Sequence, residues 1–298
     1  MIKLIFLLII IIYTIFNFYK KYIKIKVCLC TIGKRENLYI IEFVKHYKNL
    51  GYNHIFLYDN NDIDNERFDD VLNKYISHNF ITIINYRGYR GKRESPQSEA
   101  YYDCYERYNK YYDWLSFFDI DEFLELKPSQ KINKFLNNKI YEKCQNIKIN
   151  WLIYTDNDLL NFENKSLKKR FTKPSFNHSD NIHIKSTVKG KLPINYWRRM
   201  GNPHSSINNY ISCSPTGKII NSRAFFNNPP DYKFAILNHY GTKTIEEYCY
   251  KIKRGRADLK VFFNYQSLKK RFDYFFSINK KTNEKLNVIN RIFNITIK

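Results

Sequence analysis

The sequence predicts an α/β chain, with a mostly parallel central sheet covered by helices on both faces, set behind an N-terminal transmembrane helix. Three observations predict it. Strand-like and helix-like segments alternate from Lys24 onward. Two polar, acidic clusters stand directly after apolar strand-like runs. Residues Leu4 to Tyr19 carry no charge at all.

The N-terminal run LIFLLIIIIYTIFNFY is apolar all round. A helix over its sixteen residues covers roughly 24 Å, a little short of a ~30 Å hydrocarbon core. Lys3 and Lys20 can snorkel and close that gap. A cleaved leader needs small residues at its cleavage site, and the first alanine of the chain is Ala100. Residues 1–23 are therefore expected to be an uncleaved single-pass anchor. Lys20, Lys21, Lys24 and Lys26 follow the segment, and the positive-inside rule then puts the remainder in the cytoplasm. Asn164, Asn177 and Asn294 begin N-x-S/T sequons that matter only in a secretory lumen, and in so Asn-rich a chain such triplets arise by chance.

The alternation runs as follows. Lys24 to Thr31 reads as a strand. Glu36 to Leu50 carries apolar residues at Leu38, Ile41, Val44 and Tyr47, a helical stripe that Gly51 ends. His54 to Tyr58 is a second strand and opens into DNNDIDN. Glu66 to Ile76 reads as a helix, Phe80 to Asn85 as a third strand, and Pro96 starts a helix that reaches about Tyr111. Trp114 to Phe118 is an apolar strand leading into Asp119-Ile120-Asp121-Glu122. Residues from about 160 to 230 are polar and read as long loops around a site. The chain divides into the anchor, a catalytic-type α/β domain over 24–260, and a basic helical tail over 261–298.

Composition narrows the class. Tyr and Phe number 26 and 23, enough aromatic surface to build a large core. The net charge of +22 invites a phosphate-bearing partner, but the lysines are scattered through most segments of a chain rich in Lys, Asn and Ile. No compact basic helix, RNP-like strand or zinc module accompanies them, so no nucleic acid is expected as a partner. The six cysteines include no C-x-x-C pair, and their low density points to buried free thiols rather than a disulfide framework.

The acidic cluster carries the chemistry. Along extended backbone, side chains at i and i+2 share a face, so Asp119 and Asp121 point one way and Ile120 the other. Two carboxylates in a low-dielectric mouth repel, and a hard divalent cation, Mn2+ or Mg2+, relieves that repulsion. Such an ion, as a Lewis acid, stabilises a departing diphosphate. An acidic triplet alone is weak evidence. Here it is framed by Trp114 to Phe118 before and by Phe123 and Leu124 after, which sets it at the edge of a core.

Several segments in one order resemble glycosyltransferase family 92, in its bacterial and viral branch. They are CTIGKREN (Cys30 to Asn37), HYKNLGYNHIFLYDNN (His46 to Asn61), QSEAYYDCYERY (Gln97 to Tyr108) and WLSFFDIDEFLEL (Trp114 to Leu126). NWLIYTDNDLL (Asn150 to Leu160), KSLKKRFTKP (Lys165 to Pro174), HIKSTVKG (His183 to Gly190), NPH (Asn202 to His204), NHYGTK (Asn238 to Lys243) and KRGRAD (Lys253 to Asp258) continue the order. The resemblance implies a GT-A fold and a nucleotide-sugar donor, expected to be a UDP-sugar. It implies a glycan, lipid-linked or protein acceptor and, by resemblance alone, inversion at the anomeric carbon. Asp119 would lie near ribose and metal, Asp121 would bind the metal, and His239 would complete the metal site, an ordinary buried histidine being the alternative. Asp59 would face the base or ribose. Arg254 and Arg256 would neutralise the leaving diphosphate, or simply end a basic helix. For the proton-accepting base Asp156 comes first, with Asp158 and His204 as rivals. A nucleotide- or glycan-binding relative without turnover is the competing reading, and a basic nucleic-acid-binding protein a more distant one.

Overall fold

An interior strand, Val27–Gly33 (β1), is apolar and rich in β-branched residues and is buried along nearly all its length, as a strand covered on both faces requires. The computed structural model describes residues 25–92, 95–193, 210–221, 225–255 and 265–295. β2 (His54–Asp59) pairs with β1 in parallel, and β3 (Ile81–Asn85) adds to β2 in parallel. β4 (Trp114–Phe117) flanks β1 on its other side, again in parallel. Helices α1 (Asn37–Leu50), α2 (Asp69–Ser77) and α3 (Pro96–Tyr108) make the crossovers. Gly51 takes φ 90°, a left-handed value that suits glycine, and its N–H closes α1 onto the carbonyls of Lys48 and Tyr47. Ser95 caps α3 by accepting from the Ser98 N–H, with Pro96 in the first turn. α2 starts three residues later than the sequence predicts, because Glu66 turns its carboxylate to the Asn37 N–H and Arg67 pairs with Asp69.

The second half of the sheet sets two antiparallel strands, β5 and β7, into an arrangement that stays mostly parallel. The order across it is β3-β2-β1-β4-β7-β6-β10-β5, with β8 on β6 and β9 on β8. After β5 (Glu122–Leu126) and the short helix α4 (Ile132–Leu136) come β6 (Asn146–Ile153), α5 (Leu167–Arg170) and β7 (Ile184–Lys189). β7 runs antiparallel to both β4 and β6, so the sheet is mixed. β8 (Ser212–Cys213), β9 (Ile219–Ile220) and β10 (Ala235–His239) complete it, β10 lying parallel to β6 and antiparallel to β5. The stretch read as loops therefore contains a central strand. Its polarity hid it: Lys185, Ser186 and Thr187 are all buried, and Thr187 meets the Ser116 hydroxyl of the neighbouring strand at 2.9 Å.

Helix α6 (Ile245–Arg254) opens with a reciprocal capping box between Thr244 and Glu247. It shares one apolar cluster, including Cys249, Ile252, Leu268, Phe272, Phe275 and Ile289, with α7 (Tyr265–Ile278) and α8 (Asn283–Phe293). Glu247 also receives the Arg170 guanidinium in a two-pronged pair at 2.7 and 2.9 Å and the Tyr39 hydroxyl at 2.6 Å, which joins α1, α5 and α6 in the interior. Cys144 and Cys213 form a disulfide, correcting the expectation that all six thiols are free. Ile147 on β6 is in register with Cys213 on β8, and that pairing brings together cysteines 69 positions apart. Cys28, Cys30, Cys104 and Cys249 are buried free thiols, as expected. Among the described residues no helix is long and apolar enough to cross a membrane, and the Leu4 to Tyr19 segment lies outside them.

His46 on α1 donates from Nε2 to the Leu124 carbonyl at 2.8 Å and accepts from Lys168 at Nδ1, 2.9 Å away. Burial, reinforced by the Lys168 charge, pushes its pKa from 6.5 down to about 3. The unfolded chain takes up this proton near pH 6.5 and the folded chain does not, so the contribution is complete above pH 6.5 and drains away toward pH 3. Denaturant titrations at pH 7 and pH 5 are expected to lose about 2 kcal/mol less in His46→Gln than in wild type.

Candidate active site

The carboxyl ends of β1, β2, β4, β6 and β10 converge with the amino end of the antiparallel β7 at one edge of the sheet. Open α/β sheets bind ligands at such an edge. Four acidic side chains of this region come from the sequence motifs: Glu36 after β1, Asp59 at the end of β2, and Asp119 and Asp121 after β4.

Asp121 is buried and is the centre of the charge arrangement. Its Oδ2 lies 2.8 Å from Lys251 Nζ and 4.0 Å from Lys243 Nζ, and its Oδ1 lies 3.7 Å from His239 Nε2. Burial alone would raise its pKa, but Lys251, His239 and Lys243 hold the carboxyl well below the usual carboxylate range. Burial pushes His239 down to about 4, so its imidazole is neutral at physiological pH. Neutral imidazole and ionised carboxylate are both metal-ligand forms.

His239 and Asp121 are positioned by main-chain pairing. His239 stands opposite Glu122 where β10 and β5 pair, and the next N–H, that of Tyr240, reaches the Asp121 carbonyl at 2.9 Å. Trp151 packs on the His239 ring at 4.2 Å between centroids. Gly241 packs closely against the imidazole: a Cβ there would come within 2.8 Å of Nε2. Asp121 and His239 offer a carboxylate and an imidazole, donor types that suit a hard divalent cation. Among the described residues no group of three His, Cys, Asp or Glu side chains forms a complete cage.

Asp119 is held differently. Oδ2 meets Lys185 at 2.8 Å, and Oδ1 accepts from the Tyr101 hydroxyl at 3.0 Å and from the Gln97 amide. Lys185 is fully buried on β7 and also lies 3.6 Å from Glu122, whose oxygens accept from the Asp119 N–H and the Trp151 indole, both at 2.8 Å. Burial would lower Lys185, but Asp119 and Glu122 outweigh it and raise it above the ordinary ammonium value. Burial pushes Glu122 up.

The other motif residues separate into two groups. Asp59 accepts twice at Oδ1 from Asn61 and meets Arg87 at Oδ2, 3.1 Å away, so it stiffens the turn after β2. Arg254 turns to Glu36 at 2.5 Å and to the carbonyls of Lys34 and Arg35, bracing the loop after β1. Asp156 is 1% exposed and ion-paired to Lys285 of α8 at 2.6 Å, while its N–H donates to Asn279 at 2.7 Å. Asp158 has a mostly exposed side chain with Lys285 3.8 Å away. His204 and Arg256 lie outside the described residues. Sequence reasoning did not single out Lys185, Lys243, Lys251, Glu36, Glu122 or Trp151. Glu36, Glu122, Trp151, Lys185 and Lys243 lie within the quoted motifs, so their order was a signal. Lys251 has none except its place on the site-facing side of α6.

The sequence matches glycosyltransferase family 92 over residues 23–292. The chain belongs to that family. It is a glycosyltransferase. No curated protein sequence is a significant match. Among solved structures, S. aureus TarS 1-349 in complex with UDP-GlcNAc superposes with a TM-score of 0.38 at 9% identity, covering 90% of this chain and 81% of that one. Mannosyltransferase PcManGT from Pyrobaculum calidifontis, in complex with GDP-Man and Mn2+, gives 0.37 at 10% identity, covering 92% and 74%. Likeness this loose carries no argument about ligands here.

Lys185→Met would leave the fully buried Glu122 and the half-buried Asp119 without their shared cation. Thermal or urea unfolding is expected to show a loss of about 3–5 kcal/mol.

Proposed function

We propose that this member of the family is a metal-dependent, inverting glycosyltransferase with a GT-A fold. It moves a sugar from a nucleoside-diphosphate donor, expected to be a UDP-sugar, to a hydroxyl of a glycan, lipid-linked or protein acceptor. The observation that carries the reading is the strand-end cluster in which Asp121 and His239 face one another with Lys251 and Lys243 alongside. A diphosphate brings two or more negative charges, and this edge has the ammonium groups of Lys251 and Lys243 beside the carboxylate and imidazole that would hold a metal ion.

Asp121 and His239 are the residues that would hold Mn2+ or Mg2+, which supplies Lewis-acid stabilisation to the departing diphosphate. The chain's own cations act beside it. Lys251 lies between Asp121 and the Gly241 carbonyl, 2.9 Å from the latter, and can turn from the carboxylate to a phosphate oxygen. Lys243 is buried against the Tyr39 ring and faces both Glu36 and Asp121. Asp119, tied down by Lys185 and Tyr101, is a fixed acceptor for ribose or sugar hydroxyls. Asp59 and Arg254 support the reading less directly, since they set the loops after β2 and β1 that would frame the nucleoside.

A non-catalytic, nucleotide-binding relative would bind the donor without turning it over. The full chain, purified in detergent, is to be offered a panel of UDP-sugars with Mn2+ and with EDTA. Release of UDP from one sugar, lost with EDTA and lowered about 10²–10³-fold in Asp121→Ala, is the expected result. UDP binding without release from any sugar would sink the enzymatic reading.

For location, we propose a single-pass membrane protein anchored by residues 1–23. The lysines after the anchor favour the cytoplasmic side, but the Cys144–Cys213 bond favours an oxidising one. The lysine bias runs through the whole chain, so we give the disulfide more weight and propose that the domain lies outside the cytoplasm. Non-reducing peptide mapping of protein isolated with its thiols blocked is expected to recover Cys144 joined to Cys213. Recovery of both as blocked thiols would return the domain to the cytoplasmic side.

A further inference from the structure

We propose that Lys251 is a removable counter-ion that makes metal capture at Asp121 depend on the diphosphate. The inference rests on the metal-dependent reading above and deepens it. The Lys251 ammonium sits 2.8 Å from Asp121 Oδ2 and 2.9 Å from the Gly241 carbonyl. As a monovalent cation it covers one of the two oxygens that a divalent ion would use. On the other side, among the described residues, His239 Nδ1 has no hydrogen-bond partner, and Nε2 is 3.7 Å from Asp121 Oδ1, too far for a hydrogen bond. Imidazole and carboxylate thus face each other unjoined, while the second carboxylate oxygen is taken.

The cations near Asp121 differ in freedom. The Lys243 side chain is 4% exposed, lies over the Tyr39 ring at 4.3 Å, and springs from left-handed backbone with φ 55°. Arg254 is closed on Glu36 and on the carbonyls of Lys34 and Arg35. The Lys251 side chain, by contrast, is 34% exposed. Its backbone is fixed: α6 opens with the capping box, Cys249 and Ile252 are buried, and the Tyr248 hydroxyl donates to the Arg271 carbonyl at 3.0 Å. What can move is the flexible stem, whose ammonium has a path to water. Leaving Asp121 breaks one charge-assisted hydrogen bond, and a phosphate oxygen restores one.

Charge decides when the stem moves. Lys251, Lys243 and Arg254 set three positive groups around the two carboxylates of Asp121 and Glu36, so this cluster already has one positive charge in excess. A bare divalent ion at Asp121 would face two ammonium groups at close range, and like charges there repel. A nucleoside diphosphate brings two or more negative charges and gives the Lys251 ammonium a phosphate oxygen as acceptor. Asp121 Oδ2 is then uncovered in the same event that supplies the counter-charge. The site would take up cation and diphosphate together and leave free metal in solution. By linkage, each of the two ligands raises the affinity for the other by the same factor.

The test is a binding measurement without turnover. The full chain in detergent is titrated with Mn2+, with and without saturating UDP, and the free ion is read from its EPR signal after subtracting uptake by UDP in protein-free solution. Wild type is expected to bind Mn2+ at least about tenfold more tightly with UDP than without. Lys251→Met and Lys251→Gln are expected to bind Mn2+ alone about tenfold more tightly than wild type, and the enhancement by UDP to shrink about tenfold. Asp121→Asn is expected to lose the uptake in both conditions. A purely structural role for Lys251 predicts the opposite sign, weaker uptake, and the glutamine variant decides where the methionine variant fails to fold. Folded Lys251 variants that bind Mn2+ alone within about threefold of wild type, or more weakly, overturn the counter-ion role alone. Wild-type uptake indifferent to UDP overturns it as well. A wild-type chain that takes up no Mn2+ even with UDP overturns the metal-dependent reading and this inference with it.

Discussion

Carboxylates can gather at one edge of this sheet only because cations from distant parts of the chain are buried beside them. Asp59 has Arg87, Asp119 has Lys185, Asp121 has Lys251 and Lys243, Glu36 has Arg254, Asp156 has Lys285, and Glu247 has Arg170. An ionised group out of water must find a partner or give up its charge. Each pairing also joins a loop or strand end to an element far away in sequence, so charge balance and tertiary connectivity are one set of contacts. In place of a formless excess, part of the +22 is committed to particular interior positions.

The same pairings explain the division of labour at the edge. Those with no further work, such as Asp156 with Lys285 and Glu247 with Arg170, are closed and fasten helices to the sheet. The one around Asp121 stays open. Its carboxylate shares Lys251 with a main-chain carbonyl and leaves a second oxygen facing an imidazole across 3.7 Å. Stability and binding thus use one kind of interaction, distinguished by whether every lone pair is already engaged.

Much of this was legible in the sequence, and unevenly so. The helices and strands from Val27 to Leu126 could be read because their periodicity is apolar and their ends carry Gly51, Pro96 and polar turns. Asp121 could be singled out because it follows an apolar strand, His239 only because the NHYGTK segment resembles the family. β7 could not, since hydrophobic periodicity is blind to a strand whose buried side chains are lysine, serine and threonine satisfied by partners elsewhere. For Asp156 the limit is the opposite one: an acidic residue after an apolar strand has the pattern of a catalytic group, and only the position of Lys285, more than a hundred residues on, shows it ion-paired. The disulfide was hidden likewise, because cysteine spacing along the chain says nothing about which strands are neighbours.

That disulfide makes a closed covalent ring of the chain from Cys144 to Cys213. The ring includes β6, β7, Trp151, the 178–183 turn and Lys185, and so one whole wall of the site. A break in the backbone anywhere inside it would free no fragment while the sulfurs stay joined. The wall is thus retained as a unit through a kind of damage that would divide an open chain in two.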